Sequence, residues 1–413
     1  MKSVFIYIGL FVLVAAGSGC RSSRHTAKAP VPAPVHPRVE EKKPEPPAPL
    51  PPVKKRINVR FALVMPFELS ENFKTDTSQN GYAELEISQG ALAGLHFYEG
   101  ARLAADSLLS DSIHVTITGY DTPSDSAGTA RLIGGGMLHD FDYVIAGVSP
   151  ALAATAAAAA HRAGVHLLLT QAASADAVTG HPDVAIAGTS TFSQCKEMAA
   201  WISDTYPAAN VILVYRKIKR EDELAEVFRS NLSSRTDRLP PVDFDATTKT
   251  TEELQHYLHI EKRNIIVVVS SDEAFVKTTL TGINAFEMSG IYVCGLPTWT
   301  SFESIDFMNM ENLRYFVFDN NFIDPSDPSS ALLRKMFISK YNTDPLPQAY
   351  NGFEMVMALA TDTVSGLPFC EKLSHAFKQN KRYHFISGQP GSGCENVRIS
   401  VLEIADYSLK KAE

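Results

Sequence analysis

Five consecutive β-branched residues, Ile265-Ile266-Val267-Val268-Val269, contain no polar side chain. A strand with one wet face must alternate apolar and polar residues, because successive side chains point to opposite faces. An unbroken run requires cover on both faces, the condition met in parallel sheets sandwiched between helices. Further strand candidates are Val59 to Met65, His114 to Thr118, Tyr143 to Gly147, His166 to Thr170 and Val211 to Tyr215. Between them, apolar residues return every three or four positions, as at Leu92, Leu95, Tyr98, Ala101, Ala105 and Leu108, while Glu99, Arg102 and Asp106 fall on other faces. Ala151 to Ala163 is almost wholly small and apolar, as a helix packed closely on a sheet requires; Thr251 to His259, Asp272 to Ala285 and Ser329 to Tyr341 also read as helices. The alternation predicts an α/β fold, and residues 57–413 exceed the size at which one core usually divides, so two lobes are expected.

The first 56 residues cannot join that core. After Lys2, Val4 to Ala16 is uninterrupted apolar or small sequence, closing on Gly17-Ser18-Gly19-Cys20. About a dozen residues is short for a ~30 Å hydrocarbon layer and right for a signal segment. Residues 1–20 resemble a bacterial lipoprotein signal, which implies lipidation of Cys20 and a membrane anchor in the cell envelope. An ordinary secretory peptide or an uncleaved anchor is the alternative. Arg21-Ser22-Ser23 carries no acidic cluster, which points to the periplasmic side of an outer membrane. Residues 21–56 form a linker with ten prolines between Pro30 and Pro52. Proline fixes φ and removes a donor, so the linker reads as extended polyproline II, with a reach of roughly 100 Å.

Charge divides at the same place. The first 56 residues carry ten Lys or Arg against Glu40, Glu41 and Glu45, a net +7, whereas the whole chain is −8, leaving −15 for the rest. The basic segment is either a solvated linker or a contact for anionic lipid and wall polymers. A domain at −15 without a basic aromatic groove is not a nucleic-acid binder.

Several stretches then resemble the type I periplasmic binding protein superfamily of Leu/Ile/Val-binding and receptor ligand-binding domains. They are Phe61-Ala62-Leu63-Val64-Met65-Pro66, Phe97-Tyr98-Glu99-Gly100-Ala101, Gly119-Tyr120-Asp121-Thr122 and Ile145-Ala146-Gly147-Val148-Ser149-Pro150. Others, Gly295-Leu296-Pro297-Thr298-Trp299, Phe302-Glu303-Ser304-Ile305-Asp306, Phe322-Ile323-Asp324, Tyr350-Asn351-Gly352-Phe353 and Glu395-Asn396, are similar to a Bacteroidota-type group of amino-acid ABC transporter substrate-binding proteins often fused to LysM repeats. The resemblance covers 57–413 and implies two α/β lobes, each a mainly parallel sheet flanked by helices. It places lobe 1 at 57–189 with 318–385 and lobe 2 at 190–317 with 386–413. Between them it implies a cleft at the carboxyl ends of the strands, closed about a hinge.

The same resemblance nominates ligand-binding residues. Ser149 matches a serine after the third strand, and Gln171, Ala172 and Ser174 match a stretch that holds amino-acid carboxylates and ammonium groups; Thr191 joins them at the start of the second lobe. Ser149 is equally a helix N-cap. Ala173 departs from the pattern, since a hydroxyl is usual there. Trp299, beyond the Ile291 to Cys294 strand, either stacks on a ligand or plugs the lobe. Arg216, Lys217 and Lys219 are a solvated face or an attraction for an acidic ligand. Asp272 and Glu273 pair with a ligand ammonium, or suit a helix dipole with Ser271 as cap.

Enzyme chemistry finds little support. Gly147-Val148-Ser149-Pro150-Ala151 imitates a nucleophile elbow, yet the residue that should donate to an oxyanion is Pro150, which has no N–H. Gly388-Gln389-Pro390-Gly391-Ser392-Gly393 imitates a dinucleotide fingerprint but precedes a strand, the reverse of the required order, and reads as a turn. The histidines form no zinc motif, and no cofactor is expected. Of the cysteines Cys195, Cys294, Cys370 and Cys394, the last two are the most plausible disulfide pair, with buried free thiols the alternative. The expectation is a non-enzymatic, lipid-anchored protein that captures a small polar ligand (an amino acid, a peptide or a wall fragment), with a transporter permease as partner. The alternative is an envelope scaffold that contacts peptidoglycan or its synthases.

Overall fold

Ile265 to Val268 lies in the interior of a seven-stranded sheet with every side chain buried, as its composition demands. The computed structural model describes residues 57–69, 87–109, 113–233, 240–286, 288–305, 313–405 and 408–412. The signal segment with Cys20, the linker 21–56 and Asp306 lie outside them. The described residues belong to one compact unit, Lys54–Glu413.

The chain builds the first lobe from β1 (Ile57–Met65), α1 (Gln89–Leu108), β2 (Ile113–Asp121), α2 (Ser126–Gly134), β3 (Tyr143–Ala146), α3 (Ala153–Ala163), β4 (Leu167–Leu169) and β5 (Val184–Ile186). It crosses to the second for α4 (Thr191–Thr205), β6 (Asn210–Tyr215), α5 (Lys219–Ser233), β7 (Val242–Asp245), β8 (Asn264–Val268), α6 (Glu273–Asn284), β9 (Ile291–Gly295) and β10 (Leu313–Asp319). It returns for α7 (Pro328–Tyr341), α8 (Pro347–Thr361), α9 (Phe369–Ala376), β11 (Phe385–Ser387) and β12 (Cys394–Asn396). A last crossing leads to β13 (Ser400–Ala405) and β14 (Ser408–Lys411).

The first sheet runs β11-β12-β5-β4-β3-β1-β2 and the second β14-β13-β10-β9-β8-β6-β7. Strands β1 to β5, with β12, are parallel, as are β6 to β10; β11, β13 and β14 pair antiparallel at the edges. Two apolar layers cover the first sheet. Phe61, Leu63 and Met65 of β1 enter the cluster under α1, α8 and α9, while Ala62 and Val64 enter the one under α3. Ala153, Ala156, Ala157, Ala159 and Ala160 make that second face of α3, and their small side chains set it close to the sheet.

Three sequence expectations are corrected. Phe385–Ser387 and Cys394–Asn396 join the first sheet, so 386–396 is not part of the second lobe; residues 318 and 319, assigned to the first lobe, complete β10 of the second. The deciding contact is β12 against β5, a pairing across some two hundred residues that local pattern cannot reveal. Residues Thr251–Tyr257 form a 3₁₀ helix, not an α-helix, started by a capping box between Thr250 and Glu253. Cys370 is bonded to Cys394, which ties α9 to β12, while Cys195 and Cys294 are free, buried thiols.

Candidate ligand-binding cleft

In the first sheet the chain runs from β1 outward to β2 and then back past β1 to β3, so strand order reverses between β1 and β3. Loops diverge at such a point and leave a crevice beyond the carboxyl ends. A cleft of about 310 Å³ occupies it, lined by Met65 and Pro66 after β1, Gly147 after β3, Thr170, Gln171 and Ala172 after β4, and Gly188 and Thr189 after β5.

Its side wall is built by α1 and α8, which meet backbone to backbone. A Cβ on Gly100 would lie 1.9 Å from the Ala349 carbonyl oxygen, and one on Gly352 would lie 2.1 Å from that of Phe97. Only glycine at both positions permits this approach, which brings Ala93, Gly94 and Phe97 of α1 and Gln348 and Asn351 of α8 to the cleft. Asn351 is fixed there by Arg382 and by the Tyr383 hydroxyl, which donates to its Oδ1 at 3.1 Å.

Asn320 and Asn321 of the second crossing close the far end, and the second lobe contributes Gln194 of α4, Asp319 at the end of β10 and Pro297 after β9. The crossings converge on one atom. The Ala187 carbonyl oxygen accepts from Asn320 Nδ2 of the second crossing at 3.3 Å and from Asn396 Nδ2 of the third at 3.0 Å. Beside it, Glu395 accepts from the Ser190 backbone N–H and, at 3.0 Å, from the Ser193 hydroxyl. Gln194 Nε2 donates to the Thr189 carbonyl at 3.1 Å. Asp319 accepts from Asn321 N–H at 3.0 Å, and burial holds its carboxyl above the usual range.

The corresponding reversal in the second sheet, between β6 and β8, is filled by the protein itself. Arg216 forms a two-pronged ion pair with Glu221 and a second with Asp272 at 2.9 Å; the Ser270 hydroxyl donates to Glu221 at 2.6 Å. These bonds, Glu221 foremost, raise the Arg216 guanidinium above its ordinary value. Lys217 pairs with Asp245 at 3.5 Å. Neither Arg216 nor Lys217 therefore stands as an unpaired attraction for an acidic ligand. Asp272, not Ser271, caps α6 by accepting from Phe275 N–H, and Glu273 accepts from Ser304 N–H at 2.6 Å.

Of the residues nominated from sequence, Gln171 and Ala172 line the cleft. Ser149 lies on the exposed turn before Pro150–Leu152, makes no capping bond and is outside the lining. Ser174 is turned to Asp176, and Thr191 is the first residue of α4, beside the lining residues Thr189 and Gln194 rather than among them. Trp299 is fully buried within the second lobe: its ring lies against Gly295, where a Cβ would meet it at 2.4 Å, and its Nε1 donates to the Ser270 carbonyl at 3.0 Å. It is a plug of that lobe and does not reach the cleft. Sequence reasoning missed Asn351, Gln348, Asp319 and Asn320; Asn351 alone sat within a quoted motif. Gly388 to Gly393 is the turn between β11 and β12.

No protein-family model and no curated protein sequence matches the chain. Solved structures do. A branched-chain amino acid ABC transporter protein from Rhodospirillum rubrum aligns at 17% identity and TM-score 0.62 over 87% of this chain and 100% of that one. An ABC transporter substrate-binding protein from Desulfitobacterium hafniense, complexed with Leu, aligns at 13% identity and 0.55 over 87% and 100%. The C-domain of LpoA from Haemophilus influenzae, a regulator of PBP1A, aligns at 9% identity and 0.51 over 86% and 100%. At these identities the likeness is one of architecture: two mainly parallel seven-stranded sheets, each covered by helices, in the two-lobed α/β fold of the type I periplasmic binding proteins.

Proposed function

We propose that this protein is a non-enzymatic solute-binding protein of the cell envelope, anchored through Cys20 and the proline-rich linker, which captures a small polar ligand between its lobes. The observation that carries the reading is the cleft at the β1/β3 reversal, lined by polar side chains among others and bounded by the first two crossings. Ligand held there touches the first lobe and the hinge together, so binding and lobe closure are coupled. The Leu complex of the Desulfitobacterium hafniense protein supports a small-molecule ligand in this fold. A ligand that binds only the folded form stabilises it by about 2.7 kcal/mol at a hundredfold excess over Kd. Thermal unfolding across a metabolite library tests this: at least one compound raises Tm, and the gain disappears in Gln171→Leu.

One observation favours a second reading, an envelope scaffold. The second lobe's strand-order reversal is filled by its own Arg216–Glu221 pair, and the fold is shared with the LpoA C-domain. A scaffold shows no Tm shift with any metabolite and instead retains peptidoglycan or a synthase on an affinity column.

A further inference from the structure

The cleft lining is unusual in its polar chemistry. Six of its side chains are carboxamides: Gln171, Gln194, Asn320, Asn321, Gln348 and Asn351. The side-chain amides of Gln171, Asn321 and Gln348 make no hydrogen bond among the described residues, while Gln194 and Asn320 donate to backbone carbonyls and Asn351 Oδ1 accepts from Arg382 and Tyr383. A carboxamide offers a donor and an acceptor side by side and matches hydroxyl or amide groups, which do the same. No lysine, arginine or histidine lines the space; the one ionisable group is Asp319.

Helix N-termini are the usual alternative for holding an anion; α8, which brings Gln348 to the lining, begins with Pro347, which has no N–H, and the starts of α1 and α4 are occupied by the protein's own acids. Glu68 accepts from Ser88, the cap of α1, at 2.5 Å. Glu395 sits at the start of α4. At α3 the preceding turn begins with Pro150, which has no N–H, and Ser149 is outside the lining. Asp319, an acid that accepts from Asn321 N–H, offers a carboxylate no attraction. At about 310 Å³ the cleft is at the small end of the ~300–1,000 Å³ range of ligand pockets.

We infer that the cleft takes an uncharged ligand of about monosaccharide size, bearing several hydroxyl or amide groups, and rejects free amino acids. This rests on the solute-binding reading and narrows it. Isothermal titration of the full-length protein tests it with two panels: glucose, galactose, ribose and N-acetylglucosamine in one, the twenty amino acids and putrescine in the other. The expected result is binding in the first panel only, weakened at least tenfold by Gln171→Leu and by Gln348→Leu. Both positions are solvent-accessible, so the variants retain the parent's thermal unfolding. An amino acid or putrescine whose binding is lost in Gln171→Leu overturns the inference and leaves the solute-binding reading standing. Silence from both panels overturns the two together.

Discussion

Trp299 and His96 show how much of a residue's role is decided by where its polar atom can go. Trp299 spends its only donor on the Ser270 carbonyl and covers Gly295 with its ring, so it has nothing to offer a ligand. Trp299→Ala is expected to cost about 3–5 kcal/mol, the usual range for emptying an aromatic site, and to leave ligand affinity of the folded protein unchanged. Urea denaturation beside titration separates the two; lost affinity with intact stability would return the ring to the cleft. His96 is buried on α1, and its Nδ1 accepts from Leu346 N–H at 3.0 Å, which requires the neutral ring. Burial lowers its pKa, and that of His166, stacked on Phe369, is lowered in the same way. A depressed folded value means that the stabilisation is present above the unfolded value of about 6.5 and is lost as pH falls below it. Tm should therefore decline from pH 6.5 downward, and less steeply in His96→Gln; equal slopes would refute the assignment.

At the scale of elements, the α1–α8 contact carries the cleft wall. Gly100 and Gly352 each face a carbonyl of the other helix, and a backbone atom cannot swing away as a side-chain tip can. Gly352→Ala is expected to destabilise by about 1–3 kcal/mol through overpacking and to weaken binding by shifting Asn351, read from urea midpoints and titration. An unchanged midpoint would mean that the helices part freely. These glycines were visible in the sequence as members of stretches that carry the resemblance, but their reason was not: each partner lies some 250 residues away. The same limit explains the other gaps. β8 was legible because five buried residues in a row admit one interpretation. β5, β11 and β12 have three residues each, too few to show a period, and their sheet is chosen by pairing rather than composition. Gln171 and Ala172 were found because the resemblance matched the loop after the fourth strand to a ligand-holding stretch. Asp319, Asn320 and Gln348 were not, because they come from a crossing and a helix start that only the assembled lobes bring to one place.

At the scale of the molecule, the lobes are joined by crossings that share hydrogen bonds as well as chain. Glu395, on the strand leading to the third crossing, holds Ser190 and Ser193 of the first. Glu395→Ala leaves two donors without their acceptor and is expected to cost about 2 kcal/mol. Small-angle scattering of the variant should show a wider spread between lobes than in the parent. An unchanged profile and midpoint would mean that the covalent crossings alone set the geometry.

Because Asn320 and Asn396 both reach the same oxygen of Ala187, any swing of one half against the other has its fulcrum close to that atom. Arc length grows with distance from a fulcrum. Thr189 and Asn320 would stay nearly still, whereas Pro297, on the opposite jaw, would travel farthest. Fluorescent reporters near Ala187 would then register occupancy without displacement, and a pair spanning Ala93 and Pro297 would register the bite itself.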